Sequence, residues 1–206
     1  MVATGAVSAM LESLSSKGRE RGTHVDPIVA QVLDTPVGPM LSAATQEGLC
    51  LLEFMDRRAM QSELQELTEL LDRPVVEGSG DAPGLRHLAQ MEGELRRYFA
   101  GTLRSFETPL LTPGTEFERA VWQELLRIPF GRTRSYGEMA SKLGKPGAAR
   151  AVGRANGRNR IAIVIPCHRV IEANGKLRGY GGGLERKRFL LDHERQLAGD
   201  AGFLFR

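Results

Sequence analysis

Cys167 and its neighbours carry the clearest chemistry in the sequence. The segment reads Pro166-Cys167-His168-Arg169. Positive side chains stabilise a thiolate, and the thiolate rather than the thiol is the nucleophile. An adjacent histidine can act as the base that takes the thiol proton. We therefore predict that Cys167 is a nucleophile. An inert, buried Cys167 is the competing interpretation, because free cysteine is among the most frequently buried residue types.

A strongly basic segment precedes this cysteine. Residues 132–160 contain eight Lys and Arg side chains and a single acid, Glu138. The two halves of the chain also differ, since residues 1–111 carry 10 basic and 16 acidic side chains whereas residues 112–206 carry 18 and 9. A basic field of this kind attracts polyanions, of which DNA phosphate is the usual one. The alternative is a solvated basic face without a ligand.

Within this basic segment the sequence predicts two short helices, Tyr136–Leu143 and Ala148–Asn156, joined by a Gly-Lys-Pro-Gly turn. Such a pair has the form of a helix-turn-helix. The second helix carries Arg150 and Arg154 four residues apart, and therefore on one face. Ala151 is small enough to let that face approach a DNA groove, where arginines contact phosphates and base edges. Many helix pairs of this shape are structural, so the spacing alone leaves that alternative open.

The reactive segment needs a rigid support. Ile161–Ile165 is a short apolar run just before it, and this run predicts a buried strand. Two helices upstream have capping signals, in which Thr115 is followed three residues later by Glu118 and Ser135 by Glu138. In such a capping box each side chain satisfies a backbone N–H at the start of the helix. We therefore expect helices to begin after Thr115 and after Ser135.

The N-terminal half has a different pattern of apolar and polar residues. Ile28–Leu33 and Gly48–Phe54 are apolar, partly β-branched and bounded by turn residues, which predicts strands. Residues 57–71 and 84–100 carry leucines and other apolar side chains at helical spacing. We predict an α/β N-terminal domain, with a small β-sheet and helices, followed by a mainly α C-terminal domain that contains the helix-turn-helix.

The domain boundaries follow from composition. Residues 1–26 are rich in Ser, Gly and charged side chains and predict a flexible tail. The N-terminal domain is expected at residues 27–108 and the C-terminal DNA-binding and acceptor domain at residues 109–206. Thr108–Gly114 contains two prolines and a glycine, which is typical of a linker.

Composition narrows the class of protein. Hydrophobic residues make up 41% of the chain and charged residues 26%, as in globular proteins. We find neither a secretory signal nor a run long enough to span a bilayer, and expect a cytoplasmic, nucleoid-associated protein. The two cysteines, Cys50 and Cys167, have no paired spacing. We therefore expect no disulfide, no metal site and no cofactor.

The motif around Cys167 resembles the active-site signature of the O6-alkylguanine-DNA alkyltransferases. The resemblance covers roughly residues 112–195, and Asn159 lies eight residues before the cysteine, as in that family. The segments that carry the resemblance are Phe117–Trp122, Ile128–Tyr136, Ala149–Gly153, Pro166–Val170, Gly179–Gly183 and Leu190–Glu194.

The resemblance implies catalytic roles for five residues. Cys167 would accept the alkyl group. His168 would act through a water as the base, and Glu194 would orient His168. Tyr136 would contact the extruded guanine and stabilise it as it leaves. Asn159 would brace the turn that carries the cysteine.

The resemblance also implies contacts to DNA and to the guanine. Arg150 would fill the gap left by the flipped nucleotide, and the expected DNA-binding set is Arg150, Arg154, Ala151, Tyr136 and Arg169. The expected guanine pocket is formed by Tyr136, Val170, Tyr180 and Gly181. Relatives often have a serine where this chain has Gly181, so we expect a pocket that tolerates alkyl groups bulkier than methyl.

The function that the resemblance implies is direct-reversal DNA repair. The partner would be duplex DNA that contains O6-alkylguanine, with O4-alkylthymine left open as a further substrate. The alkyl group would move irreversibly to Cys167, so each protein would act once. We expect a monomer and leave cooperative binding along DNA open. The alternatives are a binding-only lesion sensor, against which the presence of Cys167 argues, and a helix-turn-helix transcription factor.

Overall fold

The chain forms two compact units. The computed structural model describes residues 26–80 and 82–199, so all but the last residue of the predicted tail lies outside the described part. Unit 1 comprises the residues up to Arg96 together with Glu107–Pro113, and unit 2 comprises Arg97–Phe106 and the residues from Gly114 onward. The sequence-based boundary instead places Arg97–Phe106 with the N-terminal domain.

Unit 1 is built on a four-stranded sheet. Strands β1 (Ile28–Leu33), β2 (Met40–Ala44) and β3 (Leu49–Phe54) form an antiparallel meander, and β4 (Val75–Glu77) pairs in parallel with β1. The order across the sheet is β3-β2-β1-β4. Every side chain of β2 and β3 is buried. The strands predicted from the apolar runs are therefore confirmed, whereas β4 was not predicted because three residues give too short a pattern.

Two helices complete unit 1. Leu64 and Leu67 of helix α1 (Met60–Leu71) pack in one hydrophobic core with residues of the sheet. Helix α2 (Leu85–Phe99) follows, and its residues from Arg97 onward belong to unit 2. The predicted linker is partly ordered, because Leu49 N–H donates to the carbonyl oxygen of Pro109 at 2.8 Å and Leu111 N–H donates to that of Leu49 at 2.8 Å.

Unit 2 is mainly helical. Its two-residue strands β5 (Arg134–Ser135) and β6 (Val170–Ile171) pair in parallel. Both predicted capping boxes are present, with each side chain bonded to the backbone of the other cap residue. The remaining helices are α3 (Glu116–Leu126), α4 (Tyr136–Lys142), α5 (Ala149–Gly157) and α6 (Leu184–Leu197).

The strand predicted at Ile161–Ile165 is wrong. The segment is buried as expected, but it folds as a succession of turns. Ile163 has a φ of 71°, a left-handed conformation that interrupts any extended strand. Ile165 N–H donates to the carbonyl oxygen of Ile161 at 3.0 Å, which closes the segment on itself. The apolar run thus reflects burial of the segment. A run this short does not distinguish a buried strand from a buried turn.

Candidate active site

Cys167 begins a single turn of 3-10 helix, Cys167–Arg169, which leads directly into β6. Its backbone N–H donates to the carbonyl oxygen of Ile165 at 2.7 Å. The residue is 6% exposed. The sulfur of Cys167 is therefore carried on a fixed turn within unit 2.

Asn159 holds this turn from within. Its side-chain amide donates to the carbonyl oxygen of Ile165 at 2.9 Å, and its Oδ1 accepts from the N–H of Ile161 at 3.0 Å. Asn159 is 2% exposed, so these bonds do not compete with water. Both bonds tie Asn159 to the segment that immediately precedes Cys167.

Glu194 is the centre of a buried hydrogen-bond network. The side chain lies on α6 and is fully buried. Oε1 accepts from His168 Nε2, Arg169 Nη2 and the Tyr98 hydroxyl, each at 2.9 Å. Oε2 accepts from Arg169 Nε at 2.8 Å and from Gly131 N–H at 3.0 Å. Five donors on one carboxylate fix both its position and its ionisation.

Only glycine fits at position 131. Its φ is 73°, and a Cβ added there would lie 2.7 Å from the Cβ of Ala198. The left-handed conformation also disfavours any side chain. A glycine at this turn therefore lets the Gly131 N–H reach the Glu194 carboxylate.

The ionisation state of Glu194 fixes the tautomer of His168. Burial opposes ionisation of Glu194, but the charges and hydrogen bonds of His168 and Arg169 outweigh it and hold its pKa below the ordinary value. A carboxylate only accepts hydrogen bonds, so His168 Nε2 must be the donor. Burial lowers the pKa of His168, which favours neutral imidazole. Its Nδ1 is buried without a hydrogen-bond partner among the described residues, and in this tautomer it can accept a proton.

The prediction that Arg169 contacts DNA is contradicted by its position. Arg169 is 6% exposed and binds Glu194 with two of its nitrogens. Its Nη1 donates to the carbonyl oxygen of Ile128 at 2.6 Å. The guanidinium is therefore used inside unit 2. The sequence shows that Arg169 places a positive charge beside Cys167, but it does not show that the side chain is buried.

Tyr136 and Lys187 meet at one carbonyl oxygen. The Tyr136 hydroxyl donates to the carbonyl oxygen of Arg178 at 3.3 Å, and Lys187 Nζ donates to the same oxygen at 3.0 Å. Lys187 also donates to the carbonyl oxygen of Val170 at 2.6 Å. Burial, followed by the charge of Cys167, raises the pKa of Tyr136, so its hydroxyl remains a proton donor at neutral pH.

Lys187 was missed by sequence analysis. It lies in the charged run Leu184–Phe189 and looks like a surface residue of a helix. Its side chain is instead fully buried, and this burial lowers its pKa to about 8. A negative charge on Cys167 would oppose this lowering of the Lys187 pKa. The only available signal was its position three residues before Leu190, on the buried face of α6.

The remaining residues of the expected pocket lie on the segment after Cys167. Val170 is fully buried in β6. Tyr180 is half-buried and Gly181 is exposed. Gly183 N–H donates to the carbonyl oxygen of Tyr180 at 3.0 Å, which closes a turn around Gly181.

Helix α5 presents the two predicted arginines to solvent. Arg150 and Arg154 are exposed, and Ala151 is half-buried. Neither arginine has an ion-pair partner within residues 26–80 and 82–199. The helix itself is anchored, because Trp122 Nε1 donates to the carbonyl oxygen of Ala155 at 2.9 Å. The arginines are thus displayed on a fixed element.

Asn156, also on α5, was not singled out from the sequence. It is 5% exposed, and its side-chain amide donates to the carbonyl oxygen of Cys167 at 3.3 Å. One residue of α5 therefore holds the backbone of the predicted acceptor.

In the described part of the chain, no group of three or more His, Cys, Asp or Glu side chains could hold a metal ion. Nor does any helix of that part have the length and apolar character needed to cross a membrane.

Known proteins resemble the chain over both units. Two proteins named methylated-DNA–protein-cysteine methyltransferase are similar along 163 residues, or 79% of this chain. The Mycobacterium leprae protein is 47% identical with 90% of its length covered, and the Methanosarcina acetivorans protein is 44% identical with 96% covered. The Mycobacterium tuberculosis protein OGT, crystallised in complex with DNA, has a TM-score of 0.70 and 41% identity, over 82% of this chain and 94% of that one.

Family models match most of the chain. The DNA binding domain of 6-O-methylguanine DNA methyltransferase matches residues 116–196, and its ribonuclease-like domain matches residues 28–112. Together these ranges contain Cys167 and every residue whose side chain or backbone donates a hydrogen bond to the Glu194 carboxylate. The chain belongs to the 6-O-methylguanine DNA methyltransferase family.

Proposed function

We propose that this protein repairs alkylated DNA by direct reversal, moving an alkyl group from O6 of guanine to the sulfur of Cys167. The observation that carries the proposal is the buried arrangement of Cys167, His168 and Glu194 in a member of this family. The three residues follow the order of nucleophile, base and orienting carboxylate.

The transfer is a displacement at the alkyl carbon. The thiol proton of Cys167 passes to His168 Nδ1 through a water, and the thiolate attacks the carbon. The S–C bond forms as the C–O bond breaks, and guanine leaves with the bonding electron pair. Tyr136 donates a proton to the departing base, and His168 returns the thiol proton to Tyr136 through solvent, so that overall the proton moves from sulfur to guanine.

The substrate base must leave the duplex before this step. An alkyl group on O6 of a stacked guanine cannot reach a thiol inside a protein, and extrusion of the nucleotide costs a few kcal/mol. The exposed Arg150 and Arg154 of α5 would bind the DNA, with Arg150 filling the space of the extruded nucleotide. Ala151 would let the helix approach the groove. Chromosomal DNA as substrate would place this action in the cytoplasm, at the nucleoid.

The proposed reaction consumes the protein. A thioether is a stable product, because a carbon-bound sulfur is a poor leaving group, so one protein would repair one lesion. A test of this stoichiometry measures how much DNA is restored per protein. Increasing amounts of wild type are mixed with a fixed amount of O6-methylguanine duplex, and a restriction enzyme blocked by the lesion reports repaired sites. We expect one site restored per protein and none by Cys167→Ala. Restoration of many sites per protein would overturn the proposal.

We further propose that the turn at Gly181 admits alkyl groups larger than methyl. Gly181 is exposed and lacks the side chain that a serine would place there. A comparison of transfer rates from O6-methyl- and O6-benzylguanine, in wild type and in Gly181→Ser, tests this. We expect the variant to lose benzyl transfer more than methyl transfer. Strong discrimination against benzyl already in wild type, unchanged in the variant, would refute it.

A further inference from the structure

Tyr98 reaches the reactive centre from a distant part of the sequence. It lies near the end of α2, in the segment Arg97–Phe106 that belongs to unit 2. Its hydroxyl donates to Glu194 Oε1 at 2.9 Å, and both side chains are fully buried. The family's DNA-binding model begins only at residue 116. Tyr98 is thus outside the part of the sequence that carries Cys167, His168 and Glu194.

The Tyr98 ring is held on several sides. Its centroid lies 5.4 Å from that of Phe106, 6.1 Å from that of Phe130 and 5.3 Å from that of His193. His193 Nε2 also lies 3.0 Å from the carbonyl oxygen of Tyr98. A ring packed in this way gives its hydroxyl a single position, so the bond to Glu194 is imposed by the fold.

The oxygen that Tyr98 contacts is the one that orients the base. Glu194 Oε1 accepts from His168 Nε2 and from Tyr98 at the same distance, 2.9 Å. A hydrogen bond donated to a carboxylate oxygen lowers its basicity, and each further donor weakens the attraction of that oxygen for the others. The hydroxyl therefore competes with His168 for the same negative charge.

We propose that Tyr98 is a positioning residue of the reactive centre, whose hydroxyl holds Glu194 and limits how strongly this carboxylate stabilises a protonated His168. This inference rests on the proposed alkyl transfer, in which neutral His168 accepts the thiol proton. If Glu194 Oε1 lost this donor, it would attract the Nε2 proton of His168 more strongly. His168 would then become protonated at higher pH and would no longer accept a proton at Nδ1.

Other charged groups also face His168, and the test leaves them in place. Arg169 and Lys187 both disfavour its protonation, whereas Glu194 favours it. Cys167 precedes it in the same turn, and His193 packs on the Tyr98 ring. Tyr98 itself stays neutral, since burial and the charge of Glu194 raise its pKa well above the ordinary value. Removal of one hydroxyl therefore changes one hydrogen bond and no charge.

The experiment compares Tyr98→Phe with Phe106→Leu. The first variant removes the hydroxyl and keeps the ring, and the second loosens the packing on the ring and keeps the hydroxyl. Single-turnover methyl transfer is measured from about pH 5 to about pH 9, together with thermal unfolding. We expect the acid limb of Tyr98→Phe to move up by about half a pH unit or more. Phe106→Leu should lower the melting temperature and leave the limb in place.

An unmoved acid limb in Tyr98→Phe would overturn the inference, because a purely structural hydroxyl changes stability alone. A second measurement does not depend on DNA. The titration of His168 followed by NMR should show a higher pKa in Tyr98→Phe than in wild type, and equal values would also overturn the inference. Absence of transfer by wild type would refute the proposed function instead, and the NMR titration would still decide the role of Tyr98.

Discussion

Asn156 of α5 donates a hydrogen bond from its side-chain amide to the carbonyl oxygen of Cys167, at 3.3 Å. The same helix displays Arg150 and Arg154 to solvent. A single nine-residue helix therefore carries the side chains proposed to meet DNA and a side chain that holds the backbone of the proposed alkyl acceptor.

The link through Asn156 predicts a loss of transfer without a loss of binding. Asn156→Leu keeps a side chain of similar volume and removes the donor to Cys167. We expect the single-turnover rate to fall about tenfold, as for one lost buried hydrogen bond. The dissociation constant for lesion duplex, measured by fluorescence anisotropy, should stay within about twofold, because the arginines remain. The control is Asn174→Leu in an exposed turn, and equal rates for the two variants would contradict the link.

Lys187 is expected to support the pocket through its two hydrogen bonds. Lys187→Met keeps the length of the side chain but leaves the carbonyl oxygens of Val170 and Arg178 without this donor. Val170 is fully buried, so loss of the donor to its carbonyl oxygen costs about 1–3 kcal/mol. The oxygen of Arg178 still accepts from Tyr136. We therefore expect a lower melting temperature and about tenfold slower transfer. Arg188→Met, an exposed cation on the same helix, serves as control. A similar effect of both substitutions would mean that only surface charge matters.

Glu194 should make stability depend on acid pH. Its folded-state pKa lies below the ordinary value of 4.5, so its contribution is present above about pH 4.5 and is lost as the pH falls below that value. Glu194→Gln should cost about 3 kcal/mol or more at pH 7, because Arg169 remains buried without its carboxylate. Urea denaturation at pH 7 and at about pH 4 should show a smaller difference between the two pH values in the variant than in wild type. Glu185→Gln, exposed on the same helix, should behave like wild type.

Arg150 should contribute affinity for DNA. Arg150→Ala removes an exposed charge from α5, and we expect about tenfold weaker binding to lesion duplex at moderate salt. Wild-type affinity should fall steeply with added salt, and the slope should be smaller in the variant. Arg96→Ala removes an exposed arginine from α2 and provides the matched control. If the two variants bind equally well, α5 is not the DNA-binding element.

Local signals were sufficient where the partners are close in sequence. The capping boxes at Thr115 and Ser135 were predicted because both members lie three residues apart. Cys167, His168 and Glu194 were singled out together only through the family resemblance, since the bond from His168 to Glu194 spans 26 residues. Helix periodicity and capping depend on residues a few positions apart, whereas the site is assembled by tertiary contacts between distant residues.

The failures have the same physical origin. Arg169 was expected on the DNA surface because charged side chains are usually exposed, but a buried carboxylate offsets its burial. Lys187 was overlooked for the same reason. Tyr98 could not be connected to the site, because 96 residues separate it from Glu194. Burial of a charged or polar residue depends on partners that a single sequence does not place.

The most direct test of alkyl transfer to Cys167 is the mass of the protein after reaction. Wild type, Cys167→Ala and Cys50→Ala are each incubated with an excess of duplex that carries one O6-methylguanine, and the intact mass and the modified peptide are determined. Cys50 is 1% exposed, and burial raises its pKa to about 12, so it should remain unmodified. We expect a single added methyl group on Cys167 in wild type and in Cys50→Ala, and none in Cys167→Ala. Tight binding of the lesion without any gain in mass, or a methyl group on another residue, would contradict the proposed transfer to Cys167.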